Sequence, residues 1–259
     1  MAAALMVAGT STLSEEWNVQ DMNNQINNTN FIVEDFCSAT FISDEHDLLL
    51  TNHHCVDKNI SFETREVVLD SGEVVKRKFE VRDPMSVSQK RYDGHELVSY
   101  SSWMSEIVAY KEESDLAILR ILDDNMHSIE AASIFTGEKV LRGEVAYAVG
   151  NPMMLDATVT KGIISSTNRA LKVGWGNDKT NFYQMDAGIA GGSSGGSLYN
   201  SDGELIGVPA ASARGTMVGL AIPYTEIQQF LKENCYEEVY NPEAVAYEDC
   251  VKEDDEEDE

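Results

Sequence analysis

The sequence lacks any apolar run approaching the roughly 20 residues that a membrane-spanning helix needs. Its longest candidate, residues 2–9, is eight residues long, so no membrane partner is expected. Basic residues are scarce: 19 Lys and Arg face 45 Asp and Glu, a formal charge of −26 over 259 residues. Such a surface repels phosphate backbones and anionic lipid, so no nucleic-acid partner is expected. The last seven residues are all acidic, yet removing them still leaves −19, so the acidity belongs to the whole chain. No Lys or Arg precedes Lys58. The apolar start, followed by Gly9-Thr10-Ser11-Thr12, therefore lacks the basic front of a secretory signal and reads either as a signal remnant or as a frayed terminus. The four cysteines, Cys37, Cys55, Cys235 and Cys250, show no C-x-x-C spacing. A zinc site built on cysteine pairs is not expected, and no other cofactor is indicated. Two disulfides and four reduced thiols are both open on this count. If Cys37 and Cys55 are bridged, the loop they close contributes about 3 kcal/mol and speaks for a secreted or periplasmic compartment.

What is present is an ordinary hydrophobic share, 42%, enough for one large domain or two small ones. Val19, Met22 and Ile26 recur at helical spacing behind Ser14, Glu15 and Glu16, which predicts a short helix within residues 14–26. Brief β-rich runs follow at 36–42, 48–51, 66–69, 73–79, 106–110 and 116–121, with Asp70-Ser71-Gly72 as a hairpin turn. The second half repeats the texture at 144–149, 158–165, 182–185, 196–199, 205–208 and 217–222, with Asn200-Ser201-Asp202-Gly203 as a turn. Thr225 then caps a helix over 225–233 whose apolar face is Ile227, Phe230 and Leu231. The expected fold is all-β: two small barrels side by side, at about 31–125 and 135–223, closed by a C-terminal helix. Two segments stand outside this scheme. Residues 82–103 are polar, contain Pro84 and Gly94, and read as a surface insertion. Residues 241–259 hold ten acids and one base, Lys252, and read as disordered, so the domain is expected to end near 235 and the tail to run from 236.

Three clusters carry chemistry. Leu50-Thr51-Asn52-His53-His54-Cys55-Val56 places histidine just after a β-rich run. Ser114-Asp115-Leu116-Ala117-Ile118-Leu119-Arg120-Ile121 places an acid before a strand, and Gly191-Gly192-Ser193-Ser194-Gly195-Gly196-Ser197-Leu198 places a serine among glycines. Acyl transfer needs these parts: a hydroxyl nucleophile, a base to take its proton and a buried acid to orient the base. Glycines around the serine permit positive φ and let a substrate carbonyl approach main-chain N–H groups. Because strand side chains alternate, only one of His53 and His54 is expected to face the cleft. His46, His95 and His127 have no motif around them and read as surface residues; Asp186 reads as a turn cap.

At this point the sequence resembles the chymotrypsin-like serine endopeptidases, most closely the bacterial HtrA/Deg branch. The resemblance spans about 36–231 and rests on TNHHCV, SDLAILRI and GGSSGGSLYN in that order, on AVGNPMMLDATVTKGIISSTNR, and on ELIGV with GLAIP. It implies two six-stranded barrels with the site between them, His54 as general base, Asp115 as its orienting acid and Ser194 as nucleophile. The N–H groups of Gly192 and Ser194 are the implied oxyanion donors. Cys37 and Cys55 bracket the histidine as a disulfide does in secreted relatives, so the resemblance implies that pair; pairing of Cys235 with Cys250 stays open.

The resemblance also places the base of the specificity pocket near Gly188 and Ile189 and its walls at Ala210, Ala211 and Ser212. None is acidic, so a small or apolar side chain before the scissile bond is expected rather than Lys or Arg. Ser193 stands where digestive relatives carry an aspartate, so activation by a new N-terminus is not implied. The length is expected to leave no room for a PDZ domain or for the helical cap of the dipeptidyl peptidases, whose histidine motif TNHHC also resembles. Polypeptides are the expected partners, and the alternatives are a peptidase-fold binding protein without turnover and a dipeptidyl-peptidase-like exopeptidase.

Overall fold

The computed structural model describes residues 17–69, 71–123, 129–173, 180–213 and 216–251. The Ser14 cap, the apolar start, His127 and the acidic end past residue 251 lie outside the described residues. The first helix, α1 (Val19–Thr29), begins behind Asn18, whose side-chain oxygen accepts from the Gln20 and Asp21 N–H groups. It runs on past Ile26 through asparagines that disfavour helix. Tertiary bonds override that preference: Asn27 donates to the Tyr92 carbonyl at 2.7 Å and accepts from its N–H at 2.9 Å.

Eight strands follow, β1 (Asn30–Val33), β2 (Cys37–Ser43), β3 (Leu48–Thr51), β4 (Ile60–Val68), β5 (Val74–Arg82), β6 (Met85–Asp93), β7 (Glu96–Lys111) and β8 (Leu116–Ile121). Six of them close a barrel in the order β1-β2-β3-β8-β7-β6. The supposed surface insertion at 82–103 is therefore barrel wall. Its polar composition concealed two strands: Met85 and Val87 point into the core, while Ser88 and Gln89 are buried, with the Gln89 amide donating to the Asn28 carbonyl at 2.8 Å. The actual insertion is the β4–β5 ribbon, a separate two-stranded sheet exposed along nearly its whole length. The β-rich runs at 66–69 and 73–79 belong to that ribbon, not to the barrel.

The second barrel uses β9 (Val145–Gly150), β10 (Thr158–Leu171), β11 (Thr180–Met185), β12 (Ser197–Tyr199), β13 (Leu205–Ser212) and β14 (Gly219–Pro223), closed as β10-β11-β14-β13-β12-β9. Two closed six-stranded antiparallel barrels are thus the architecture. Phe31, Phe41, Leu49 and Leu119 fill the first; Ala148, Ile164, Met185, Leu198 and Ile206 fill the second. Leu48, Leu50 and Ile118 alternate outward from the first barrel and meet Tyr147, Val149, Phe182 and Ile222 of the second in one shared cluster. This is why β3 reads as an unbroken apolar run: both of its faces are covered. α2 (Tyr224–Glu233) adds Ile227, Phe230 and Leu231 to that cluster, one residue ahead of the Thr225 start, behind Pro223 and without a side-chain cap.

Residues 236–251, read as the start of a disordered tail, fold back onto the first barrel. Cys235 is bridged to Cys250, and Tyr247 stacks on Tyr236 with ring centres 4.8 Å apart. The Arg120 guanidinium donates to the Tyr236 hydroxyl at 2.7 Å. His46, expected at the surface, is largely covered here and lies 2.7 Å from Glu238. A disulfide and an aromatic stack do for this segment what its low hydrophobicity could not. Replacing Cys235 and Cys250 with serine is expected to lower unfolding free energy by up to about 3 kcal/mol in a denaturant titration, with amide exchange rising first in 236–251. Among the described residues no helix is long and apolar enough to cross a membrane.

Candidate active site

After β3 the chain does not continue as strand but tightens into a 3₁₀ turn, His53–Cys55. Strand alternation therefore does not separate the two histidines; the turn does. The His53 ring stacks on Tyr110 at 5.1 Å, whereas His54 Nδ1 lies 3.0 and 2.9 Å from the two carboxylate oxygens of Asp115. Asp115 sits at the entrance to β8, 1% exposed, with φ of 53°. Aspartate is among the few residues that tolerate this conformation. Its Oδ1 also accepts the His54 backbone N–H at 2.9 Å, and the wholly buried Asn52 donates from its side chain to the Asp115 carbonyl at 2.9 Å. The acid is held from both its backbone and its side chain.

Ser194 comes from the other barrel. The turn before it closes through the Ser193 N–H to the Ala190 carbonyl at 2.9 Å, with Gly192 third in the turn at φ of 101°. Positive φ at that place marks a type II turn, which glycine adopts without steric cost. A Cβ there would also lie 2.4 Å from the Asn151 carbonyl oxygen. The Gly191 carbonyl is taken by the Met153 N–H at 2.7 Å. Because C=O and N–H of a trans peptide point oppositely, the Gly192 N–H faces away from Met153. Among the described residues neither this N–H nor that of Ser194 meets an acceptor.

The two halves are joined across the barrels. The Ser38 N–H donates to the Ser194 carbonyl at 2.8 Å, and the Ser38 hydroxyl to the Gly192 carbonyl at 2.7 Å. Cys37, beside Ser38, is bridged to Cys55, beside His54, with Cα atoms 6.0 Å apart. The Ser194 hydroxyl donates to the Ala210 carbonyl at 3.4 Å, a weak bond that leaves the side chain able to rotate.

Sequence reasoning missed the supports of this arrangement: Ser38, Asn52, Asn151 and the Met153 backbone. Asn151 is buried and donates from its side chain to the Ser38 hydroxyl and the Phe31 carbonyl, 2.9 and 3.0 Å, while accepting from Ala157. An Asn-Pro pair marks a turn at most, and nothing in it announces a burial network. Asp156, farther along the same loop, receives Lys90 Nζ at 2.6 Å. This bond raises the lysine pKa above its ordinary value and ties the loop to barrel one.

The candidate pocket residues all fall in barrel two around the serine turn. Ile189 packs with Met185 and Ala187, and a Cβ at Gly219 would touch Ile189 and Met185. The Gly188 carbonyl accepts the Thr160 hydroxyl at 2.8 Å. On β13, Ala210 is buried, Ala211 half-buried and Ser212 exposed. The nearby acid, Asp186, turns its carboxylate to the Ile163 N–H at 2.7 Å. His95 is exposed.

The family model described as trypsin-like peptidase domain matches residues 37–208, which takes in all three clusters. The chain belongs to the trypsin-like peptidase family. Within that family this peptidase is 35% identical over 140 residues to the serine protease HTRA1A of Danio rerio, covering 54% of the chain and 29% of the relative. It is 40% identical over 122 residues to the mitochondrial serine protease HTRA2 of Drosophila virilis, covering 47% of the chain and 28% of the relative. This trypsin-like peptidase domain thus spans less than a third of either relative's length. An HtrA-type protease, AlgW, solved with a tripeptide, superposes with a TM-score of 0.58 at 26% identity, covering 83% of this chain and 64% of that one. The HtrA/Deg branch is where its relatives lie.

Proposed function

We propose that the protein is a serine endopeptidase that cleaves polypeptides through an acyl-enzyme intermediate. The observation that carries this is the pairing of a bond from His54 to the buried Asp115 with a type II turn that leaves the Gly192 and Ser194 N–H groups open beside the serine. In this reading His54 takes the Ser194 proton as Oγ attacks the scissile carbonyl, and later returns it to the leaving amine. Asp115 holds the ring so that Nε2 faces the serine and steadies the imidazolium. The two N–H groups receive the oxyanion. Hydrolysis of an unfolded protein, blocked by a serine-directed phosphonate, tests the reading. No hydrolysis and no phosphonate adduct would favour a peptidase-fold binding protein instead.

Gly192→Ala is aimed at the oxyanion turn. Its Cβ clashes with Asn151 and its φ is strained, so the N–H is displaced. Turnover is expected to fall about 10²–10³-fold with KM nearly unchanged, measured on a fluorogenic peptide. A loss confined to KM would remove Gly192 from this role.

For specificity we infer a small or medium apolar side chain, valine or alanine, before the scissile bond. The apolar surroundings of Ile189 and the engagement of Asp186 elsewhere support it. Among matched peptides, turnover should favour Val over Arg and Glu by at least tenfold. A preference for either charged residue would overturn the assignment of the pocket.

We also place the protein in an oxidising, extracytoplasmic compartment, which two disulfides favour.

A further inference from the structure

The disulfide beside His54 is more than a staple. The sulfurs of Cys37 and Cys55 and a ring nitrogen of His54 all lie within 4.8 Å of one another. Two sulfurs and an imidazole are a ligand set that suits zinc, which bonds sulfur at about 2.3 Å and nitrogen at about 2.0–2.1 Å. Tetrahedral geometry at those lengths sets ligand atoms about 3.6–3.8 Å apart, a separation that side-chain rotation reaches from the present spacing. We propose that reduction of the Cys37–Cys55 disulfide turns this cluster into a zinc site that holds His54 and stops it acting as a base.

The orientation of His54 strengthens the case. Zinc-binding histidines commonly turn their second nitrogen to a carboxylate, which fixes the tautomer and raises the basicity of the ligating nitrogen. Asp115 already makes that bond at Nδ1, so a metal would meet Nε2. Burial fits as well. Cys37 and Cys55 are 3% and 2% exposed, and one Zn²⁺ with two thiolates is neutral, so no net charge is placed in the core. Three protein ligands leave a tetrahedral zinc one further position, which water would fill. Sequence spacing concealed the site, because the two cysteines are 18 residues apart rather than in a C-x-x-C pair.

The chemistry balances with a small thiol as reductant. Two RSH become RSSR, the Cys37–Cys55 bond breaks, and each sulfur gains a proton. Zn²⁺ then displaces both protons to solvent, forms two Zn–S bonds, and accepts the lone pair of His54 Nε2. While the bridge is intact both sulfurs are spent on each other, so capture is confined to the reduced protein.

The effect on activity rests on the peptidase reading above; metal capture does not. The full chain, reduced with a phosphine that is then removed, is titrated with Co²⁺ under argon. One ion per chain is expected, with thiolate-to-cobalt charge-transfer absorption and unchanged near-UV dichroism, and Zn²⁺ should displace it. Oxidised protein should give no such band. His54→Ala should weaken uptake at least tenfold, and Cys235→Ser with Cys250→Ser should leave it intact. Equimolar zinc should lower peptide turnover of the reduced protein at least tenfold, reversibly with chelator, and leave the oxidised protein unaffected. Equal uptake by His54→Ala and the parent, dependence on Cys235 and Cys250, or uptake only with loss of dichroism overturns the proposal. Absence of turnover in every state would sink the peptidase reading alone, since cobalt uptake still decides the site.

Discussion

Replacing Ser194 with alanine is expected to lower peptide hydrolysis on the order of 10⁵–10⁶-fold while leaving the thermal midpoint within a degree or two. The two outcomes differ because the hydroxyl does little structural work. Its hydrogen bond to the Ala210 carbonyl is 3.4 Å long, whereas the turn is held by backbone atoms that alanine retains, the Ser194 carbonyl on Ser38 among them. The loss should appear in kcat, because the nucleophile forms no bond until the transition state. Intact-mass detection of a phosphonate adduct on the parent but not on Ser194→Ala checks the assignment independently of any substrate. Equal labelling of both proteins would falsify it.

Asp115→Asn should cost about 10⁴-fold in kcat, again without unfolding the protein. Asparagine is nearly isosteric and tolerates the positive φ at this position, so the entrance to β8 and the Asn52 bond to the carbonyl at 115 survive. The amide oxygen can still accept the His54 backbone N–H, which Oδ1 holds now. The amide nitrogen then faces His54 Nδ1 and donates to it. That reverses the tautomer: the proton moves to Nε2, the nitrogen required to accept one from Ser194. Asp115→Ala removes the orienting group altogether and is expected to be less stable as well. A kcat for Asp115→Asn within tenfold of the parent would deny the acid its orienting role.

The sequence carried the reactive side chains more plainly than their supports. His54, Asp115 and Ser194 stand in short motifs beside β-rich runs, and it is the resemblance of those motifs to the family's that singles them out. Their supports do not stand out in that way. Asn52 and Asn151 are polar residues of ordinary loop character, and only closure of the barrels turns them into buried clamps. Met153 acts through its backbone, which no side-chain pattern reports. The same distinction explains the misread fold segments. β3 and β8 were legible because leucine and isoleucine fill both faces, whereas β6 pairs its way through the barrel on Ser88 and Gln89. Conversely, the valine-rich β4 and β5 pattern like wall strands, and only the topology shows them standing outside. Charge alone reads the segment after residue 235 as disordered, and the Cys235–Cys250 bridge outweighs it.

The division of the site between barrels has a consequence for how the protein is made. The proposed base and acid complete the first barrel's share at Asp115, but the serine and its turn arrive 79 residues later. At about 5–20 residues per second, a nascent chain carries half a site for roughly 4–16 s. Through that interval it holds no nucleophile at all, and the first barrel sits beside the ribosome as harmless as any other β-domain. On the proposed reading, the chain can cleave its neighbours only when its second half has been synthesised and has closed.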